Sequence, residues 1–435
     1  MQSNRHDLLS ISRRQLLAAG GAAAAYAALR PSGAMAAGET IRFGIFGNAE
    51  KLAIRGKAIA RYAELNPHLK IVYEGVPSDS WPDKIAAMVA GGNAPDVITM
   101  GYDEFDQYAK RGAIAPLEEY VPSVLRANLF DDAVLRLGYK GGKLMGVPIA
   151  VSIQALCYNK SALERLKMGT PPEKMNYKEF AKFCTEIHKA NGKLYGSHDM
   201  ASRVEDFQMY LIAQGKQMYN GEMLGVTADD VAEWLDIWDQ MRKTGAAVPA
   251  DVQAQFTGNE WPNSPMVRGT AVFARISSQD LAGGYQALTK DELNLMTPVW
   301  VSDTTGPGYY PRPTSCLSLN AKSANKAAAV KLIDWFVSDP ESAKILGLVS
   351  GPPASRPALE TVLAIKDLTP VDQKVLKYSQ VALAKANKEP QTHRAQRAIN
   401  DLMRRTNESV GFGSSNVKDA AQSFIAQATA VLKRA

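Results

Sequence analysis

The chain of 435 residues is short of the features that would place it at once. Its three cysteines, Cys157, Cys184 and Cys316, are too few and too scattered for a disulfide framework or a C-x-x-C metal site, so packing must hold the fold. They fall in segments that read as strands and a helix, which makes buried free thiols the expectation. Among five histidines there is no H-E-x-x-H, the helical pairing that hydrolytic metal chemistry uses. The G-x-S-x-G turn of serine hydrolases and the G-x-x-x-x-G-K phosphate loop are also absent. Carboxylate pairs such as Glu118-Glu119 and Asp131-Asp132 are neighbours in sequence, and adjacency does not make an acid and a base converge on a substrate. The formal charge of +6 comes from basic residues that are spread out and not clustered, so a nucleic-acid partner is not indicated. These absences argue against an enzyme and lead to the expectation of no cofactor and no metal.

What is present begins at the amino terminus. Ser12-Arg13-Arg14-Gln15-Leu16-Leu17 precedes an Ala/Gly-rich apolar stretch ending near Leu29, and Ala34-Met35-Ala36 follows. This is the order of a secretory signal peptide, and the paired arginines match a twin-arginine address. The apolar stretch is too short and too weakly hydrophobic to span a membrane core about 30 Å thick. Cleavage after Ala36 would remove Arg5, Arg13, Arg14 and Arg30 against Asp7, leaving a mature chain with about half the formal charge.

Beyond it, segments with strand and helix patterns alternate. Ile41 to Phe46, Leu69 to Val76 and Pro95 to Met100 read as strands; Ala49 to Glu64, Trp81 to Gly91 and Tyr102 to Arg111 read as helices. Such alternation predicts a mostly parallel sheet whose ligands meet the loops beyond the carboxyl ends of the strands. Residues 145–159 form a long extended run suited to crossing between lobes. Helical patterns cover Asn176 to Asn191, Glu205 to Gln214, Thr227 to Thr244, Asn325 to Val337 and the tail from Thr369. Strands are expected at Thr270 to Ile276, Asn294 to Trp300 and Ser315 to Leu319, with turn formers at Pro307 to Pro313.

Several segments, taken in order, resemble the sugar-binding family of ABC-importer solute-binding proteins. They are Trp81-x-x-Lys84-Ile85 with Ala90-Gly91-Gly92-Asn93-Ala94-Pro95-Asp96-Val97; Gly146-Val147-Pro148 with Leu156-x-Tyr158-Asn159-Lys160; Arg268-Gly269-Thr270-Ala271-Val272-Phe273; Lys326-Ala327-Ala328 with Trp335-Phe336; and Gly351-Pro352-Pro353-Ala354. The resemblance implies an α/β, two-lobed periplasmic-binding-protein fold (type II), with a ligand cleft between hinge-connected lobes. Residues 37–150 with 315–357 would form lobe 1, and residues 151–314 with 358–435 lobe 2. It further implies an exported, periplasmic monomer that captures a sugar or sugar derivative and hands it to an ABC permease with its ATPase subunits.

A sugar offers apolar ring faces and polar edges, so its site needs planar side chains and convergent hydrogen-bonding groups. In the first lobe the loops after the strands supply Asn48 and Glu50, Ser80 and Trp81, and Tyr102 with Asp103. Asp103 is the preferred carboxylate, an acceptor for two hydroxyls or a helix cap. For the second lobe the resemblance points to Ser202-Arg203, Phe256-Thr257, Arg275-Ile276-Ser277, and Tyr309-Tyr310-x-Arg312. Relatives often carry a stacking tryptophan after the Ala271-Val272-Phe273 strand; here Arg275-Ile276-Ser277-Ser278-Gln279 stands there. The ring must then come from Trp81, Phe256, Tyr309 or Tyr310, or the ligand is no simple neutral pyranose. Arg203, Arg275, Arg312 and Arg356 lie near these loops and suit an anionic group, vicinal hydroxyls, or ion pairs with Asp199, Glu205 or Asp206. The alternatives are a polyamine, an amino acid derivative or ferric ion on the same fold, the last suggested by Tyr309-Tyr310, and an exported enzyme.

Overall fold

The computed structural model describes residues 39–256, 261–301, 306–387 and 389–434, with Asp103 described by its backbone alone. The signal-peptide segment and Thr257 lie outside the described residues. From Thr40 the chain begins with β1 (Thr40–Gly47), α1 (Ala49–Leu65), β2 (Lys70–Pro77), α2 (Trp81–Ala90), β3 (Val97–Met100) and α3 (Tyr102–Lys110). Local chemistry sets these bounds. Asn48 caps α1 by accepting from the Lys51 amide at 2.9 Å, and Gly92, at φ +68°, re-aims the chain after α2.

β4 (Ile114–Ala115), α4 (Asp132–Leu135), the hairpin β5 (Tyr139–Lys140) and β6 (Lys143–Leu144), and β7 (Val147–Pro148) follow. Together with the later β15 (Cys316–Asn320) they give a first sheet of order β2-β1-β3-β15-β4, with β7 on β15. β1 runs parallel to β2 and β3, whereas β15 is antiparallel to its neighbours. Phe43, Ile45, Val97, Leu317 and Leu319 pack beneath α10 (Lys326–Ser338) through Ile333 and Phe336.

The second sheet grows on β8 (Val151–Asn159), every residue of which is buried. β12 (Ala271–Ser277) pairs along one side of it, and β13 (Leu293–Met296) and β14 (Pro311–Pro313) along the other, all antiparallel; β9 (Tyr195–Ser197) joins β12 in parallel. Parallel pairing therefore holds for β1 to β3 and for β9 with β12. β12, β13 and β14 reach β8 only after long intervening segments and run against it, so the second sheet is mixed. Of the strand expected over Asn294 to Trp300, only Leu293–Met296 forms, and the turn-rich Pro307 to Pro313 ends as β14.

Helices α5 (Lys160–Arg165), α6 (Tyr177–Ala190), α7 (Val204–Ala213), α8 (Ala228–Lys243) and α9 (Ala250–Ala254) belong to this half. So do the small hairpin β10 (Tyr219–Asn220) and β11 (Met223–Leu224), and the tail helices α13 (Pro370–Leu383), α14 (Gln396–Gly411) and α15 (Val417–Arg434). Capping boxes at Asn176/Glu179, Thr227/Asp230 and Thr369/Asp372 start α6, α8 and α13. Trp234, Trp238, Phe180, Phe273 and Phe424 fill the second core. α11 (Pro340–Leu346) and α12 (Arg356–Leu363) share a small core of Ala343, Ala358 and Val362. The three cysteines are free and buried.

The chain passes between the halves at 149–151 and at 313–315, two segments that hydrogen-bond to each other and to the turn at Pro352 to Ala354. Ile149 donates to the Ser315 carbonyl, Thr314 to that of Ala150, Val151 to that of Pro352, and Ala354 to that of Ile149, at 2.9 to 3.2 Å. Gly351 sits at φ +102°, where a Cβ would come within 3.0 Å of the Gln279 Cβ, so only glycine fits here.

Candidate functional site

Parallel strands end on one edge of their sheet, and a ligand meets the loops there. The ends of β1, β2 and β3 supply Phe46, Ser78, Trp81, Gly101 and Tyr102 to one wall of a cavity of about 320 Å³. The facing wall holds Ser152, Arg203, Glu205, Ser277 and Gln279, with Arg312 and Thr314 at its edge. Register explains this wall: Ser152 stands opposite Arg312, Gln154 opposite Ser277 and Leu156 opposite Arg275. Directly opposed residues share a face, and side chains alternate along each strand. One face of the second sheet thus carries Arg275, Ser277, Ser152 and Arg312 toward the start of α7, whose first turn brings Glu205 and Asp206.

Three arginines converge on those carboxylates. Arg275 Nη2 donates to Glu205 Oε2 at 2.8 Å, Arg203 Nη2 to the same oxygen at 3.2 Å, and Arg312 Nη1 to Oε1. Arg275 Nε lies 2.6 Å from Asp206 Oδ1, but off the N–H direction, so neither atom is hydrogen-bonded. Burial works to raise the Glu205 pKa, yet Arg312, Arg275 and Arg203 outweigh it and hold the carboxyl well below its ordinary value. For Asp206 burial prevails over Arg275 and Arg203, and its pKa is raised. Arg312 also lies over the Tyr102 ring, its guanidinium carbon 3.8 Å from the ring centre, a cation–π contact joining the two walls.

Trp81 lines the cavity, though it is almost wholly packed into the first lobe. Its Nε1 donates to the Thr99 carbonyl at 3.0 Å, and Phe46 leans on it with ring centres 5.9 Å apart. A larger hollow of about 590 Å³ adjoins, sharing Arg203 and Glu205 and bounded by Ser202, Phe256, Asn400 and Arg404.

Of the residues expected at the site, Trp81, Tyr102, Arg203, Ser277 and Arg312 line the cavity, and Arg275 stands behind its wall. Asn48 is spent as the cap of α1, and Glu50 and Ser80 are exposed away from the cavity lining. Tyr309 and Tyr310 belong to a buried core with Ile153 and Met209; neither offers a ring face, and Tyr310 spends its hydroxyl on Gln208 at 3.3 Å. Arg356 is remote, pairing with Asp131 at 2.8 Å on the surface. Asp103 is the second residue of α3. Among the described residues, no group of three His, Cys, Asp or Glu side chains is placed to hold a metal.

Sequence reasoning named Glu205 only as a tether for arginine and passed over Ser152, Gln279, Phe46 and Ser78. The signal for Glu205 was its place in the first turn of a helix beginning at a strand-end loop; the others show only once register is known.

Two lobes with a cavity lined from both sides define a bacterial solute-binding protein. The family model described as bacterial extracellular solute-binding protein matches residues 48–343, and the chain belongs to that family of binding proteins. It is 25% identical over 303 residues to the maltotriose-binding protein of Pyrococcus abyssi, a match that takes in 67% of this chain and 60% of that relative's length. Two solved structures share the fold at 18% identity. One is a periplasmic solute-binding protein of Pectobacterium atrosepticum, with a TM-score of 0.82 over 91% of this chain and 99% of its own. The other is a periplasmic oligogalacturonide-binding protein of Yersinia enterocolitica bound to saturated digalacturonic acid, with a TM-score of 0.78 over 91% and 99%.

Proposed function

We propose that the protein captures a neutral sugar, or a sugar derivative without net charge, between its lobes and delivers it to an ABC permease. The observation that carries this reading is that the cavity's arginines are already engaged by Glu205 and Asp206. A ligand carboxylate would have to displace those partners, whereas hydroxyls meet Ser152, Ser277, Gln279 and the remaining carboxylate lone pairs without disturbing them. A volume of about 320 Å³ is at the small end for solute pockets, which run from about 300 to 1,000 Å³.

The mechanism is capture without chemistry. A solute that touches both walls favours the closed arrangement by the difference of its affinities for the two states. The periplasmic location, cleavage near Ala36, action as a monomer and absence of catalysis are parts of the same proposal. So are the lobe boundaries, to which the shared core of α11 and α12 adds residues up to Leu363 on the side of lobe 1. Maltotriose and digalacturonic acid, the ligands of similar proteins, are natural first probes of the neutral and acidic classes.

Thermal unfolding of the mature chain against neutral sugars, uronic acids, polyols, amino acids, polyamines and ferric ion tests this. A ligand at 100 times its Kd adds about 2.7 kcal/mol to the folded state. A rise with neutral sugars is expected; a rise confined to uronic acids would overturn the neutral reading, and a rise confined to a non-sugar would overturn the sugar reading.

A further inference from the structure

We infer that Glu389 is a positioning residue of the solute site, reaching from the second lobe to hold Tyr102 and Lys140 of the first. The inference rests on the reading of the cavity as a solute site, since Tyr102 is one of its walls. Glu389 lies in the link between α13 and α14, which is fastened to the second half on both sides. The Asn387 amide donates to the Tyr309 carbonyl at 2.9 Å, and Gln391 exchanges hydrogen bonds with the backbone of Gly221 at 3.3 Å each.

Between these anchors the Glu389 side chain is only 17% exposed, and its Oε1 lies 3.7 Å from the Lys140 ammonium, itself 10% exposed. Lys140 comes from the β5–β6 hairpin of the first lobe and lies 5.4 Å from the Phe105 ring centre and 5.8 Å from that of Tyr102. The Tyr102 ring therefore meets two cations, Lys140 and, 3.8 Å from its centre, Arg312. Its hydroxyl and the Glu389 carboxylate perturb each other's ionisation.

Both the Tyr102 hydroxyl and Glu389 Oε1 are nonetheless buried without a well-directed hydrogen bond. A buried donor and a buried acceptor that act on each other's ionisation from opposite lobes, yet lack a well-directed bond, call for an explanation. A small closing movement would join them. That bond, with the Lys140 ion pair, would keep the Tyr102 ring under Arg312, where it already lies, and Arg312 against Glu205 at the cavity wall. Glu389 lines no part of the cavity itself; it acts through Tyr102.

Solution scattering of the full mature chain without any sugar tests this, so a failure of the sugar reading leaves the experiment intact. Glu389→Leu is expected to raise the radius of gyration, as is Lys140→Met, and the double variant to raise it no further than the larger single effect. Glu389→Gln keeps an acceptor for Tyr102 and should recover part of the compaction. Cooperative thermal unfolding checks that each variant folds, and Lys140→Met with Glu389→Gln carries the test if Glu389→Leu does not. Wild-type dimensions in both Glu389→Leu and Lys140→Met would overturn the inference, as would equal expansion in the Gln and Leu variants.

Discussion

The two walls of the cavity are made by different means. The first-lobe wall is built from strand ends, where β1, β2 and β3 stop together and present Phe46, Ser78, Trp81 and Gly101. The second-lobe wall is the flat face of an antiparallel sheet, on which charged side chains are buried together and fixed by one another. The first wall owes its position to backbone topology; the second owes it to a balance of buried charges. On the first lobe's side the pair Arg356 and Asp131 lies instead at the surface, 48% and 64% exposed.

This contrast is broken most severely at Arg275, whose side chain is 2% exposed between Glu205 and Asp206. Arg275→Met leaves two buried carboxylates short of a partner and should cost about 3–5 kcal/mol in urea unfolding at neutral pH. A loss near 0.5 kcal/mol would mean that the charges do not hold the wall.

A smaller effect is expected at His198, on the same side. It is buried, with Nε2 accepting from the Met266 amide at 3.2 Å. Burial, reinforced by Arg203, lowers its pKa to about 3. The unfolded chain takes up this proton near pH 6.5 and the folded chain does not, so stability falls as pH drops from about 6.5 toward 3. At pH 5 the loss is about 2 kcal/mol. His198→Gln should flatten that slope, which unfolding curves at pH 7 and pH 5 would measure.

The smallest effect sharpens the comparison from the other lobe. Arg356→Ala removes an exposed pair and should cost about 0.5 kcal/mol or less, with no change in solute affinity. A large loss of binding would place Arg356 in the site after all.

Much of the first wall was legible in the sequence. The order strand, helix, strand, helix from Ile41 to Arg111 pointed to loops on one edge, and Trp81 and Tyr102 came from those loops. Within the loops the sequence did not separate the residue that faces the cavity from the one that caps a helix. Asn48 suits both roles and serves the second, because a helix amide three residues away is always within reach.

The second wall was harder to read. Its residues come from Ser152, Arg203, Glu205, Ser277 and Arg312, and only the pairing of β8 with β12 and β14 brings them together. A slip of one residue in that register would have turned every side chain to the other face. Tyr309 and Tyr310 illustrate the same limit: both precede β14, and the packing of α13 and α7 over them, which the local sequence does not reveal, makes them core.

The position of β15 bears on the order in which the molecule can be assembled. It lies inside the first sheet, between β3 and β4, and carries β7 as well, yet it comes some 200 residues after them in the chain. A ribosome therefore releases β1 to β7 long before their central partner exists, and the first lobe must wait, with the edge of β3 unpaired, until most of the second has been synthesised. Such late pairing makes folding slow and leaves a strand edge open to other chains in the interval.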